Sequence, residues 1–118
     1  MDEIETCVKL ITHKIKRILF DKGYGDWVDV SYIRKEWEKF EPTSTIIINF
    51  YADFFASGEL EKIKENIIEP FASSMKGKYL TSKPYNEFTI NFRDKNIMTK
   101  DQLENVFKSM EGISKFDL

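Results

Sequence analysis

The stretch Thr45-Ile-Ile-Ile-Asn-Phe-Tyr-Ala-Asp-Phe-Phe55 (TIIINFYADFF) decides the fold, because its even positions Ile46, Ile48, Phe50, Ala52 and Phe54 are all apolar. Side chains of an extended chain alternate between two faces, so the pattern predicts a strand with one face committed to a core. The odd positions, Ile47, Asn49, Tyr51, Asp53 and Phe55, mix apolar, aromatic and charged groups. That second face is oily without being dry, which asks for a use.

Upstream, Trp27 to Ile33 (WVDVSYI) is rich in β-branched and aromatic residues with Val28, Val30 and Tyr32 on one face, which predicts a partner strand. Residues 34–41 read either way: Ile33, Trp37 and Phe40 keep helical spacing, whereas Glu41-Pro42-Thr-Ser44 fits the far end of a hairpin connection. Before that, Ile4, Val8, Ile11, Ile15, Ile18 and Leu19 trace one helical stripe, with Asp2, Glu3 and Glu5 at its start and Gly23 as its stop. Downstream, Ser57 is placed to cap a helix carrying Leu60, Ile63, Ile67, Phe71 and Met75. Pro70 interrupts that helix, and the unbroken apolar register across it predicts a kink and not an end.

Lys78 to Ser82 and Asn86 to Arg93 then form a second hairpin around Lys83-Pro84, with Phe88, Ile90 and Phe92 on the apolar side. Thr99 and Gln102 have capping-box spacing ahead of a last helix carrying Leu103, Val106, Phe107 and Met110. The expected fold is therefore α+β, in the order α-β-β-α-β-β-α, with a four-stranded antiparallel sheet and helices packed mainly on one face. Ile11, Ile15, Ile48, Phe50, Ile67, Phe88, Ile90 and Phe107 are the expected core.

The 118 residues suit a single domain, 1–118, and 42% hydrophobic content is enough to build its core. Eighteen Lys and Arg against 20 Asp and Glu give a net charge of −2, which supplies no long-range pull toward phosphate backbones and argues against nucleic acid as the partner. One cysteine, Cys7, forbids an internal disulfide and favours a reducing, cytoplasmic setting. The start Met-Asp-Glu-Ile-Glu is not that of a secretory signal, and no apolar run is long enough for a membrane span.

Chemistry has little to draw on. His13, the single histidine, falls on the polar side of the first helix beside Lys9, Lys16 and Arg17, so it is expected to be exposed and dispensable. Cys7 lies next to the apolar stripe, where a small hydrophobe fits better than a reactive thiolate. Gly23-Tyr-Gly25 lacks the pattern of a phosphate loop. Lys76, Lys78, Tyr79, Lys83 and Tyr85 interleave basic and aromatic groups, a combination that in principle suits single-stranded nucleic acid, but the acids elsewhere argue against a continuous basic track and a solvated hairpin rim is the better account. No catalytic, cofactor or metal residue is assigned, and the chain is expected not to be an enzyme.

The outward positions of the sheet carry the functional expectation. Trp27, Ile33, Ile47, Tyr51 and Phe55 pool there with Asp29, Asn49, Asp53, Thr89 and Arg93. Aromatic anchors ringed by polar groups are the usual make-up of a protein interface, so Trp27, Asp29, Ile47, Tyr51, Asp53, Phe55 and Arg93 are the candidate partner-binding residues. In size, acidic balance and aromatic surface the chain resembles the immunity proteins that neutralise polymorphic bacterial toxins, and equally small phage-encoded inhibitors. No motif carries the resemblance, so it transfers no residue. It implies a protein partner, such as a toxin domain, occluded by contact, with Asp29, Asp53, Glu36 and Glu38 standing in for phosphates. A second copy of the chain is the other partner to consider, and a nucleic-acid-associated regulator or a small enzyme are the alternatives.

Overall fold

The computed structural model describes residues 2–51, 58–82 and 86–110. Helix α1 spans Glu3–Asp21, β1 Val28–Lys35, β2 Thr43–Phe50, α2 Glu59–Ile63, α3 Glu69–Ser74, β3 Lys78–Ser82, β4 Glu87–Arg93 and α4 Lys100–Met110. A π-helical segment, Lys64–Ile68, joins α2 to α3 with the backbone helical throughout. The class is α+β and the order is the α-β-β-α-β-β-α expected, with one antiparallel sheet ordered β1-β2-β4-β3. The two strands with the cleanest alternation, β2 and β4, are central, and β1 and β3 are its edges.

The sheet buries one face. Ile46, Ile48 and Phe50 of β2 are buried, as are Phe88, Ile90 and Phe92 of β4, and they share one cluster with Ile11, Ile15 and Leu19 of α1, Ile63, Ile67, Ile68 and Phe71 of the second helical run and Leu103 of α4, with Ser44 of β2 also buried. Phe50 meets Phe88 edge to face, ring centres 5.7 Å apart, a geometry favoured by the ring quadrupoles. Of the expected core, Phe107 alone is only partly buried, with the Lys14 ammonium 5.5 Å from its ring centre.

Helix ends follow local chemistry. Asp2 accepts the Glu5 N–H at 2.7 Å to cap α1. Thr99 and Gln102 cap α4 reciprocally, at 2.9 and 3.3 Å, as their spacing predicts. At the far end of α1 the N–H groups of Gly23 and Tyr24 return to Phe20 and Leu19, and Gly23 takes the left-handed φ of 90° that this closure needs. The same closure ends α3, where Lys76 and Gly77 return to Ser73 and Ala72. Here Lys76 holds the left-handed position at φ 60°, a choice that costs about 1 kcal/mol relative to glycine. The glycine is needed one residue later: a Cβ at Gly77 would lie 2.5 Å from Ile90 Cγ2 and 2.7 Å from Phe92 Cε1.

Three sequence expectations are adjusted. Arg34 and Lys35 complete β1, and residues 36–42 are irregular, so the ambiguous segment is strand and then connection. The second strand starts earlier and stops at Phe50, where Asn86 closes the ladder: its carbonyl accepts the Phe50 N–H at 2.8 Å and its side-chain amide donates to the Phe50 carbonyl at 2.8 Å. Pro70 is accommodated by the π segment just before it, in which the Glu69 N–H reaches back five residues to Lys64. A widened turn moves the carbonyls that a proline ring would strike in a regular helix. The proposed Ser57 cap and the Lys83-Pro84 turn lie outside the described residues, and Gly58 precedes α2.

Candidate functional site

The other face of the sheet carries no buried residue among those described. Strand register arranges it in rungs: Asp29, Asn49 and Glu87; Ser31, Ile47, Thr89 and Leu80; Ile33, Thr45, Asn91 and Lys78; Lys35, Thr43 and Arg93. Leu80 is 61% exposed and Ile33 49%. Between these aliphatics the centre is amide and hydroxyl, with the Thr45 hydroxyl 2.7 Å from Asn91 Oδ1. Ile47 and Leu80 are separated by Thr89, two strand spacings or about 10 Å. The apolar groups are therefore interleaved with polar ones and do not form one ridge.

Charge is sorted along the strands. Asp29 and Glu87 occupy one end, and Lys35, Arg93 and Lys78 the other. Glu87 and Arg93 are six positions apart on β4, about 20 Å at strand rise.

The acidic end assembles three of the expected partner-binding residues. Trp27 ends a 3₁₀ turn, Gly25–Trp27, and its carbonyl accepts the Tyr51 N–H at 2.9 Å, extending the β1–β2 pairing by one step. Tyr51 then donates its hydroxyl to Asp29 Oδ2 at 2.5 Å. That bond, with some desolvation added, holds the Tyr51 phenol above its ordinary value of 10.0. Ile47 lies between the two ends, and Arg93 is at the basic end. Asp53 and Phe55 lie outside the described residues. Glu36 and Glu38 follow β1 at its basic end, so they do not join Asp29 in one acidic patch.

Sequence reasoning missed two arrangements. Arg34, on the inner face of β1, makes a two-point ion pair with Asp94 at 3.0 and 3.1 Å and donates to Ser44 Oγ at 2.7 Å. Asp94 holds the guanidinium above even its usual basicity. The partners are sixty residues apart in the chain, and only the strand register shows that they meet.

The second lies at the basic end. Trp37 donates its indole N–H to Thr43 Oγ1 at 3.2 Å, and the Lys35 ammonium stands 5.0 Å from its ring centre. The Trp37 segment thus covers one end of the face and leaves the rest open. Trp37, Phe40, Glu41, Thr43 and Arg93 line a cleft of about 440 Å³. Beside it, sharing Thr43 and Arg93, a groove of about 530 Å³ is lined by Lys76, Lys78, Asn91, Lys95 and Asn96.

His13 is exposed beside Lys16, Arg17 and Phe20. Cys7 is 2% exposed, and burial pushes its thiol up, away from the thiolate. Among the described residues no group of three His, Cys, Asp or Glu is placed to hold a metal ion, and no helix is long and apolar enough to cross a membrane. Compared with known proteins, the chain matches no protein-family model and gives no significant match to a curated protein or to a solved structure.

Proposed function

We propose that this chain is a non-enzymatic binding domain that docks a protein partner on the open face of its sheet and acts by occluding it. The observation that carries the reading is that face itself: a four-stranded surface with no buried residue among those described, Ile33 and Leu80 standing out from it, and Trp27 and Tyr51 at one corner. Exposed aromatic and aliphatic groups set among hydroxyls and amides supply desolvation and hydrogen bonding together, the combination on which interfaces depend. In its most specific form the domain is an immunity protein, with the Asp29 and Glu87 end facing a basic substrate groove of a toxin.

The test is co-expression with the product of a neighbouring toxin gene. The native chain protects cells and forms a stoichiometric complex. An Ile33→Glu, Leu80→Glu variant, altered only at exposed positions, folds normally and protects poorly. Full protection by that variant contradicts the reading, as does a chain that complexes with no protein, itself included.

A further inference from the structure

We propose that the opposite, basic end of the sheet binds a nucleotide unit, with its phosphates among Lys76, Lys78, Arg93 and Lys95 and its base against Trp37. The inference goes beyond protein docking and rests on the basic end of the open face and the cleft beside it, not on the Ile33, Leu80, Trp27 and Tyr51 that carry the docking proposal. Four cations from separate parts of the fold line one groove: Lys76 ends the α3 run, Lys78 begins β3, Arg93 ends β4, and Lys95 sits in the 3₁₀ turn Asp94–Asn96. None of the four has a carboxylate partner among the described residues, although the whole chain is acidic at −2. Asp94, the nearest carboxylate in sequence, is turned away and taken up by Arg34. Glu41, which lines the adjoining cleft, accepts the Lys95 backbone N–H at 2.6 Å.

Blander accounts cover only part of this set. Lysine on an edge strand discourages strand addition, which explains Lys78 alone. A cation after a helix end complements its dipole, which explains Lys76 as a charge but not its left-handed backbone, where asparagine or glycine is easier. Arg93 stands on a central strand and needs neither role.

The neighbouring cleft supplies what a base requires. Trp37 is 45% exposed and Phe40 75%. The indole is held by Thr43 and Lys35, so a stacking surface is positioned before any ligand arrives. Arg93 and Thr43 belong to both hollows, which puts phosphate-binding and ring-stacking groups side by side. Aromatic stacking beside a basic groove is how single-stranded nucleic acid is held without sequence preference, and a free nucleotide offers the same two groups. The net charge argues against long-range attraction to duplexes and leaves such a local site intact.

Anisotropy with a fluorescein-labelled ten-nucleotide thymidine strand and with mant-labelled ATP distinguishes the two sources. Binding of the strand alone assigns nucleic acid, and binding of ATP at comparable affinity assigns a nucleotide. For the strand, four neutralised phosphates give a slope of log affinity against log salt of about −3. Arg93→Gln and Lys78→Gln should each reduce that slope by about 1, and Trp37→Ala should weaken binding about tenfold. Lys16→Gln, on the far side of α1, should bind like the native chain. The proposal is overturned if neither probe binds at millimolar concentration, if Arg93→Gln and Trp37→Ala bind unchanged, or if poly-glutamate displaces the strand as well as unlabelled strand does.

Discussion

Arg34 and Asp94 face each other in a two-point ion pair, Nη1 3.0 Å from Oδ1 and Nη2 3.1 Å from Oδ2, with side chains 19% and 13% exposed. Arg34 belongs to edge strand β1 and Asp94 follows central strand β4, so the pair spans β2, whose Ser44 hydroxyl accepts a third bond from the same guanidinium. It clamps the edge of the sheet to the turn that carries Lys95.

Removing one partner leaves a mostly buried charge without its counter-ion. Asp94→Asn or Arg34→Met is expected to cost about 2–4 kcal/mol in urea unfolding. The double change Arg34→Met, Asp94→Leu should recover much of that loss, since two apolar groups leave no charge stranded. Equal stability of both single variants and the native chain would show that the pair contributes nothing.

Phe50 is fully buried against Phe88 at the centre of the core. Phe50→Ala should lower stability by about 3–5 kcal/mol, read as a shift in the thermal midpoint. Gly77→Ala tests packing from the other direction. Its methyl would press on Ile90 and Phe92, both buried, and overpacking of this kind costs about 1–3 kcal/mol.

The Tyr51 hydroxyl bonded to Asp29 predicts a pH response. Ionising the phenol sets two negative charges together, so the folded value lies above the ordinary 10.0. A raised folded value means that the bond stabilises the fold fully below pH 10 and loses its contribution as pH rises through the folded value. Tyrosinate absorbance, compared with Tyr51→Phe, should show this group titrating late, and Asp29→Asn should bring it down. A Tyr51 that titrates with free tyrosine would show that the bond does not persist in solution.

Much of this architecture was legible because β2 and β4 alternate strictly and because Thr99 and Gln102 satisfy a local rule within a single turn. The end of β2 was not, since it is set by Asn86, 36 residues away from Phe50. The π segment was hidden because Pro70 signals a problem for the helix and not its solution. On the open face, alternation identified which residues point outward but not that Asp29 and Arg93 stand at opposite ends. That follows from the pairing of Asp29 with Asn49 and of Thr43 with Arg93. The basic groove was half legible: Lys76 and Lys78 stand out in one basic and aromatic run, but Arg93 and Lys95 come from other segments and only the fold brings them to the same groove.

Hydroxyl-radical footprinting of the chain alone and in complex with its protein partner tests the central claim most directly. Leu80, Ile33, Trp27 and Tyr51 are exposed on or beside the open face, whereas Phe20, 62% exposed, lies at the end of α1. The account predicts that the first group is protected in the complex while Phe20 is oxidised as before. Protection of Phe20, with Leu80 and Ile33 still fully reactive, would place the interface on α1 and contradict it.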